Sequence, residues 1–117
     1  MRILPSVIIR EVKGKGRGLF AAEAISRGAL IDRCPVLLWP RGAVPDDYVY
    51  RYVWEWRGQS AVALGVTSLC NHDKHPNVGS RRIYARRAME FRALRWIQPG
   101  EELTLDYGPS GEEFDGG

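Results

Sequence analysis

Gly100-Glu101-Glu102-Leu103-Thr104-Leu105-Asp106-Tyr107-Gly108 is the last patterned stretch of the chain. The preceding Pro99 and Gly100 suit the central positions of a type II turn, because glycine accepts the positive φ needed there. The residues after that turn read as a short strand ending in Tyr107-Gly108. Glu101 and Glu102 form a carboxylate pair, the machinery of glycoside hydrolysis. Adjacent strand residues point to opposite faces, so these two are not expected to share a site. A turn stabiliser and a surface charge are the simpler roles. Tyr107 is either an active hydroxyl or a rim aromatic, and this stretch alone favours the structural role.

Upstream lies Ser68-Leu69-Cys70-Asn71-His72-Asp73-Lys74-His75-Pro76-Asn77. Cys70, His72 and His75 are metal-ligand types. Zinc takes four protein ligands in a structural site, or three and a water in a catalytic one, and C-x-H-x-x-H matches no common zinc signature. Cys34 is the only other thiol, and no metal is expected. Pro76 points to an irregular loop. In such a loop Asn71 and Asn77 hydrogen-bond backbone, which is the purely structural alternative.

Nearer the start is Gly14-Lys15-Gly16-Arg17-Gly18-Leu19-Phe20. Glycines let backbone approach a ligand closely, and such a loop presents N–H groups to a carboxylate or phosphate. It is neither a dinucleotide fingerprint nor a P-loop: the spacing fails and no helix comes after it. A flexible hairpin explains it equally well.

Between these landmarks the chain is turn-rich and β-rich. Val7 to Val12 reads as a strand, and Leu30 to Trp39 alternates with a break at Pro35. Arg41 to Asp47 reads as a loop. Tyr48, Tyr50, Tyr52, Trp54 and Trp56 alternate at period two, one aromatic face of a strand. Arg57-Gly58-Gln59 then turns a hairpin into Ala61 to Gly65. Phe20 to Gly28 and Phe91 to Gly100 resemble each other: Phe-x-Ala, then Ile-x-x-Gly. They suggest two similar strand-turn-strand units.

The chain has 117 residues and 44% hydrophobic composition, enough for one domain with a core. A single domain over 1–117 is expected, with a mobile tail from about 109. No apolar run approaches the roughly 20 residues of a membrane helix. No leader is visible, so a cytoplasmic setting is expected, or a nuclear one in a eukaryotic or viral source. In that setting the two cysteines are expected as reduced thiols. The net charge of +3 is unevenly spread. Six arginines crowd residues 81–95, and acidic residues alone fill the end. An acidic end attracts cationic substrates, or is merely a solvated tail.

Taken in order, these motifs closely resemble the SET-domain family. Gly16-Arg17-Gly18-Leu19-Phe20-Ala21 is similar to its G-x-G loop and following strand. Asn71-His72-Asp73-Lys74-His75-Pro76-Asn77 is similar to its N-H-S-x-x-P-N loop. Gly100 to Gly108 is similar to its G-E-E-L-T-x-D-Y-G segment. Ala63-Leu64-Gly65 is shared with small stand-alone viral and bacterial members. Asp73 replaces the usual Ser, and a carboxylate cannot donate a hydrogen bond. The family's flanking zinc clusters are missing here, so no structural zinc is implied.

The resemblance implies a mainly β fold (α+β), a β-clip of small curved sheets with a C-terminal pseudoknot where the Asn71-His72 loop meets the Tyr107 segment. It implies a protein-lysine methyltransferase using S-adenosyl-L-methionine. By this analogy Gly16, Arg17 and Gly18 line the cofactor site, and Asn71 and His72 hold the cofactor. Tyr107 sits at the methyl-transfer centre, and Tyr52 matches the channel tyrosine. Backbone carbonyls just before Asn71 accept weak C–H···O contacts from the methyl group. Trp54 and Trp56 are assigned to packing. Phe114 is a candidate to close the lysine channel, against a disordered tail. The expected partner is a basic protein or peptide, a histone or histone-like tail included. A homodimer is expected by analogy with the viral relatives. Nucleic acid, through the arginine-rich stretch, is not the expected partner, because those arginines alternate with apolar residues as on an exposed sheet face. The competing function is a catalytically weak SET-fold module that binds basic peptides.

Overall fold

The computed structural model describes residues 7–40 and 53–106. Tyr48, Tyr50, Tyr52, Tyr107, Phe114 and the expected tail lie outside the described residues. Within them are nine strands: β1 (Val7–Val12), β2 (Gly16–Ala21), β3 (Leu30–Pro40), β4 (Val53–Trp56), β5 (Gln59–Ala63), β6 (Asn71–His72), β7 (Val78–Ile83), β8 (Ala88–Ala93) and β9 (Glu102–Leu105). Single 3-10 turns, Val66–Leu69 and Tyr84–Arg86, are the helical elements among the described residues. The mainly β expectation holds.

The strands form two sheets, ordered β1-β2-β9-β6 and β4-β5-β3-β8-β7. In the first, β1 and β2 make an antiparallel hairpin with Val12 opposite Gly16. The glycine-rich stretch is therefore a hairpin end, and Gly14 and Gly16 supply the positive φ that closes it. β9 pairs with β2 on one side and runs parallel to the two-residue β6 on the other. The segment leading to Tyr107 is thereby inserted between the glycine hairpin and Asn71-His72.

In the second sheet the expected hairpin forms with Trp56 opposite Gln59. Its two loop residues, Arg57 and Gly58, have φ of 47° and 83°. Both are positive, as the twist-matched type I′ turn requires. Trp56 is buried and its ring lies 4.9 Å from that of Tyr84. Trp54 lies 6.1 Å from the ring of Phe91. Both tryptophans pack, as expected.

Pro35 does not break β3. The strand pairs with β8 up to Pro35 and with β5 from Val36 onward. The Pro35 carbonyl accepts from the Leu64 N–H at 2.9 Å, just past the end of β5. In a strand a residue's N–H and C=O face the same neighbour. The missing proline N–H thus falls where the β5 ladder ends, and no ladder bond is lost.

The two similar segments pair with each other. Ile25 and Ile97 exchange backbone hydrogen bonds, each 2.9 Å. Gly28 N–H donates to the Ala93 carbonyl, and Gly100 N–H donates to the Ala21 carbonyl. Gly28 and Gly100 have φ of 82° and 85°. This approximate two-fold relation sets Ala21 against Ala93 and therefore Leu19, not Phe20, against Phe91. Leu19 and Phe91 are both fully buried, whereas Phe20 is not. The Phe-x-Ala alignment is one residue out of step, because only one member of each alternating pair faces the core. Leu19, Ile25, Val78, Met89, Phe91, Ile97 and Leu103 make the centre of that core.

Candidate active site

The site is built where β2, β9 and β6 lie side by side. Asn71 stands opposite Thr104 and His72 opposite Leu105. The parallel pair continues one residue further, where Asp73 N–H donates to the Leu105 carbonyl at 2.9 Å. Asn71 Nδ2 donates to Glu102 Oε2 at 2.7 Å and to the Arg17 carbonyl at 3.2 Å. One amide thus ties the edge of the glycine hairpin to the strand that leads to Tyr107. Glu102 is half-buried in this contact, so the expected surface charge is corrected to an anchor for Asn71.

Gly18 sits at the tightest point of this junction. A Cβ there would lie 2.8 Å from Glu102 Oε2, 2.9 Å from Val12 Cγ2 and 3.0 Å from Asn71 Nδ2. Glycine is thus required here by packing, not by backbone angle.

Asn77 is the second clasp. Its side chain is buried and accepts from Thr104 N–H at 2.8 Å while donating to the Glu102 carbonyl at 2.8 Å. This reproduces a backbone-like pairing for β9 with one amide, the structural role expected for such an Asn. Asn77 Nδ2 also reaches Glu101 Oε2 at 3.2 Å. Glu101 accepts from Gln98 N–H at 3.0 Å and from Arg95 at 2.5 Å. It is the turn stabiliser that the sequence indicates. The Arg95 hydrogen bond pulls its carboxyl down to about 2, with burial opposing and the Gln98 and Asn77 donors assisting. Glu101 and Glu102 make separate contacts, so they are not a catalytic pair.

Asp73 Oδ1 accepts from His75 N–H at 2.8 Å. This Asx turn needs only an acceptor, so the Ser-to-Asp departure leaves the loop intact. His72 is exposed, and its Nδ1 lies 3.7 Å from Asp106 Oδ1. The metal-ligand types do not converge: Cys70 is buried, while His72 and His75 face solvent. Cys34 and Cys70 are both buried free thiols. Burial, with the Asp32 charge beside it, pushes the Cys34 thiol up to about 12. Burial first, then the charges of Glu102 and Asp32, raises Cys70 as well. Neither is a nucleophile at neutral pH.

Gly65, in the Ala63-Leu64-Gly65 stretch, has its own reason. A Cβ there would collide with Asp32 Oδ2 and lie 2.9 Å from Cys34 Cβ. Asp32 in turn accepts from Thr67 Oγ1 at 3.0 Å, fixing the 3-10 turn that delivers Cys70 and Asn71. Sequence pattern does not reveal Asp32, because its partner lies on another element.

The residues present suit a zwitterionic, nucleotide-like cofactor. Gly16 and Arg17 form an exposed edge beside Asn71. The Arg17 guanidinium matches a carboxylate, and Asn71 Oδ1 is an acceptor fit for an ammonium group. The exposed His72 ring offers a polar edge one residue further on. Arg17, Gly18 and Asn71 are in direct contact, while Gly16 and His72 lie in the same sheet at the ends of β2 and β6. Tyr52 and Tyr107 lie outside the described residues.

Residues 16–108 match the SET domain family. The chain is 37% identical, over 106 residues, to a histone-lysine N-methyltransferase specific for H3 lysine-37 from Schizosaccharomyces pombe, covering 86% of this chain and 71% of that one. Among solved structures, a Plasmodium falciparum protein assigned as a histone methyltransferase superposes with a TM-score of 0.76 at 25% identity, over 91% of this chain and 96% of that one. The Chaetomium thermophilum Polycomb Repressive Complex 2, bound to S-adenosylmethionine, gives a TM-score of 0.70 at 22% identity. That match covers 91% of this chain but 15% of the other, and it shows the shared fold. With the glycine hairpin, the Asn71-His72 strand and the β9 segment in one sheet, and with β2, β6 and β9 inside the matched span, the chain belongs to the SET-domain methyltransferase family.

Proposed function

We propose that this chain methylates a lysine side chain of a basic protein, a histone or histone-like tail in particular. The observation that carries this is the Asn71 clasp, which joins the Gly16–Gly18 edge, β6 and the strand entering Tyr107 in one sheet. When bound, S-adenosyl-L-methionine supplies a methyl group on a sulfonium for in-line transfer to the lysine nitrogen. Arg17 would hold the carboxylate end, Asn71 the amino-acid portion and His72 the adenine. Tyr107 would orient the amine, and Tyr52 would line the lysine channel. Carbonyls of the turn before Asn71 would accept C–H···O contacts.

A free lysine has a pKa of about 10.4 and arrives protonated. A narrow channel and a nearby cation both disfavour the ammonium form. No dedicated base is then required, and catalysis rests on alignment. The named activity of the Schizosaccharomyces pombe relative supports a histone lysine as the acceptor class. The same reading includes a nuclear or cytoplasmic setting and a homodimer, for which light scattering should give twice the monomer mass.

Isothermal titration with S-adenosyl-L-methionine tests the assignment. The wild type and Tyr107→Phe should bind, and Asn71→Ala should lose at least about tenfold in affinity, equivalent to about 1.4 kcal/mol. Absence of wild-type binding, with and without a basic peptide, would refute the proposed activity.

A further inference from the structure

Most carboxylates withdrawn from solvent in this chain face a basic side chain. Glu90 is buried and clamped by Arg33 through both Nε and Nη2. Glu101 is held by Arg95. Asp106 lies 3.7 Å from the His72 ring. Glu102 and Asp32 differ. Glu102 Oε2 accepts from Asn71 Nδ2, and Asp32 Oδ2 accepts from the hydroxyl and N–H of Thr67. These donors are neutral. Among the described residues no cationic side chain is paired with either carboxylate. Removing a carboxylate from water is costly unless positive charge or several donors replace that water. At Glu102 one amide hydrogen replaces little of it.

The two charges act on one place. After burial itself, Glu102 and then Asp32 raise the Cys70 thiol. Cys70 directly precedes Asn71 and ends the 3-10 turn Val66–Leu69. A negative field therefore converges on the backbone leading into Asn71. Asp32 contributes to it from β3. Glu102 contributes from β9, where it also touches Asn71 and closes over Gly18.

What such a field would select depends on the ligand, so this inference rests on the methyl-transfer reading above. A sulfonium has no N–H or O–H. A protein distinguishes it from a thioether by weak C–H···O contacts and by electrostatic field. Methyl transfer turns the cationic sulfonium of S-adenosyl-L-methionine into the neutral thioether of S-adenosyl-L-homocysteine. The ammonium and carboxylate of the amino-acid end are the same in both. We propose that Glu102 is a specificity-determining residue, whose carboxylate is the counter-charge that makes this site prefer the sulfonium cofactor to its thioether product. Its hydrogen bond to Asn71 serves both ligands alike, and its charge favours only one. The attraction lapses once the methyl group has left, which favours product release.

The test is isothermal titration of the full chain with each ligand, read as the ratio of the two dissociation constants. Because the amino-acid ends are identical, the ratio reports on the sulfonium. Glu102→Gln keeps an acceptor for Asn71 and removes the charge. It should reduce the preference for S-adenosyl-L-methionine at least about threefold, the scale of one unit charge acting through a partly hydrated site. Glu102→Asp keeps the charge and shortens the reach to Asn71. It should weaken both ligands and leave the ratio near that of the wild type. Glu55→Gln, the same charge change on the other sheet, should alter neither. Thermal melting of each variant verifies folding. Equal weakening of both ligands by Glu102→Gln would mean that Glu102 only anchors Asn71, and would overturn the proposal, as would an unchanged ratio or an equal fall in the ratio for Glu102→Asp. Those results leave methyl transfer standing. A wild type that binds neither ligand, with or without a basic peptide, would refute the methyl-transfer reading and this inference with it.

Discussion

Asn71 spends its amide hydrogens on Glu102 and on the Arg17 carbonyl, which leaves its oxygen free for a ligand among the described residues. Gly18→Ala would drive a methyl group into that arrangement. It should cost about 1–3 kcal/mol of stability, as overpacking does, and reduce cofactor affinity at least tenfold by titration, roughly the effect of displacing one hydrogen-bonded side chain. Glu101 gives a separate prediction. Its carboxyl is depressed from about 4.5 to about 2, chiefly by Arg95. A depressed carboxyl contributes stability above its unfolded pKa, and that contribution is lost as pH falls through the folded one. Wild type should therefore melt higher than Glu101→Gln above pH 4.5, by on the order of 1 kcal/mol after solvent screening. The gap should close between pH 4.5 and pH 2 in thermal scans. A constant gap would mean that Glu101 acts by shape, not charge. At this scale the sequence is partly legible. Glu101 as turn stabiliser can be read from the Pro99-Gly100 turn. The anchoring role of Glu102 cannot, because its partner Asn71 is brought close only by strand pairing.

Elements are clearest where the signal is local. The β1 strand and the Arg57-Gly58 hairpin lie where alternation and turn chemistry put them. The similarity of the Ile25 and Ile97 segments is visible in sequence, but their pairing is not, because antiparallel contact between distant segments leaves no local trace. Pro35 looks like a break because a single strand does not reveal that it changes partner. The two-residue β6 and its parallel pairing with β9 are legible only through resemblance to a family. The related turns make a prediction. Gly28 and Gly100 adopt similar left-handed conformations, and neither has a neighbour that an added Cβ would touch. Gly28→Ala and Gly100→Ala should each cost about 1–2 kcal/mol, from backbone strain alone, and the two costs should agree in urea melts. A cost several-fold larger at one site would mean that packing, not φ, demands that glycine.

On the scale of the molecule, two sheets divide the work. The sheet β1-β2-β9-β6 gathers the three motifs that are widely separated in sequence, and the sheet β4-β5-β3-β8-β7 carries Trp54, Trp56 and the Arg33–Glu90 ion pair. Motif order points to the fold, while burial and register explain why each motif residue is needed where it stands. The most direct test is mass spectrometry of a basic histone-like peptide incubated with the full chain and S-adenosyl-L-methionine, beside Tyr107→Phe. The wild type should place methyl groups on a peptide lysine, and Tyr107→Phe should do so at least about a hundredfold more slowly, the scale expected of lost alignment. Unmodified lysine from a wild type that binds both cofactor and peptide would contradict methyl transfer as its function.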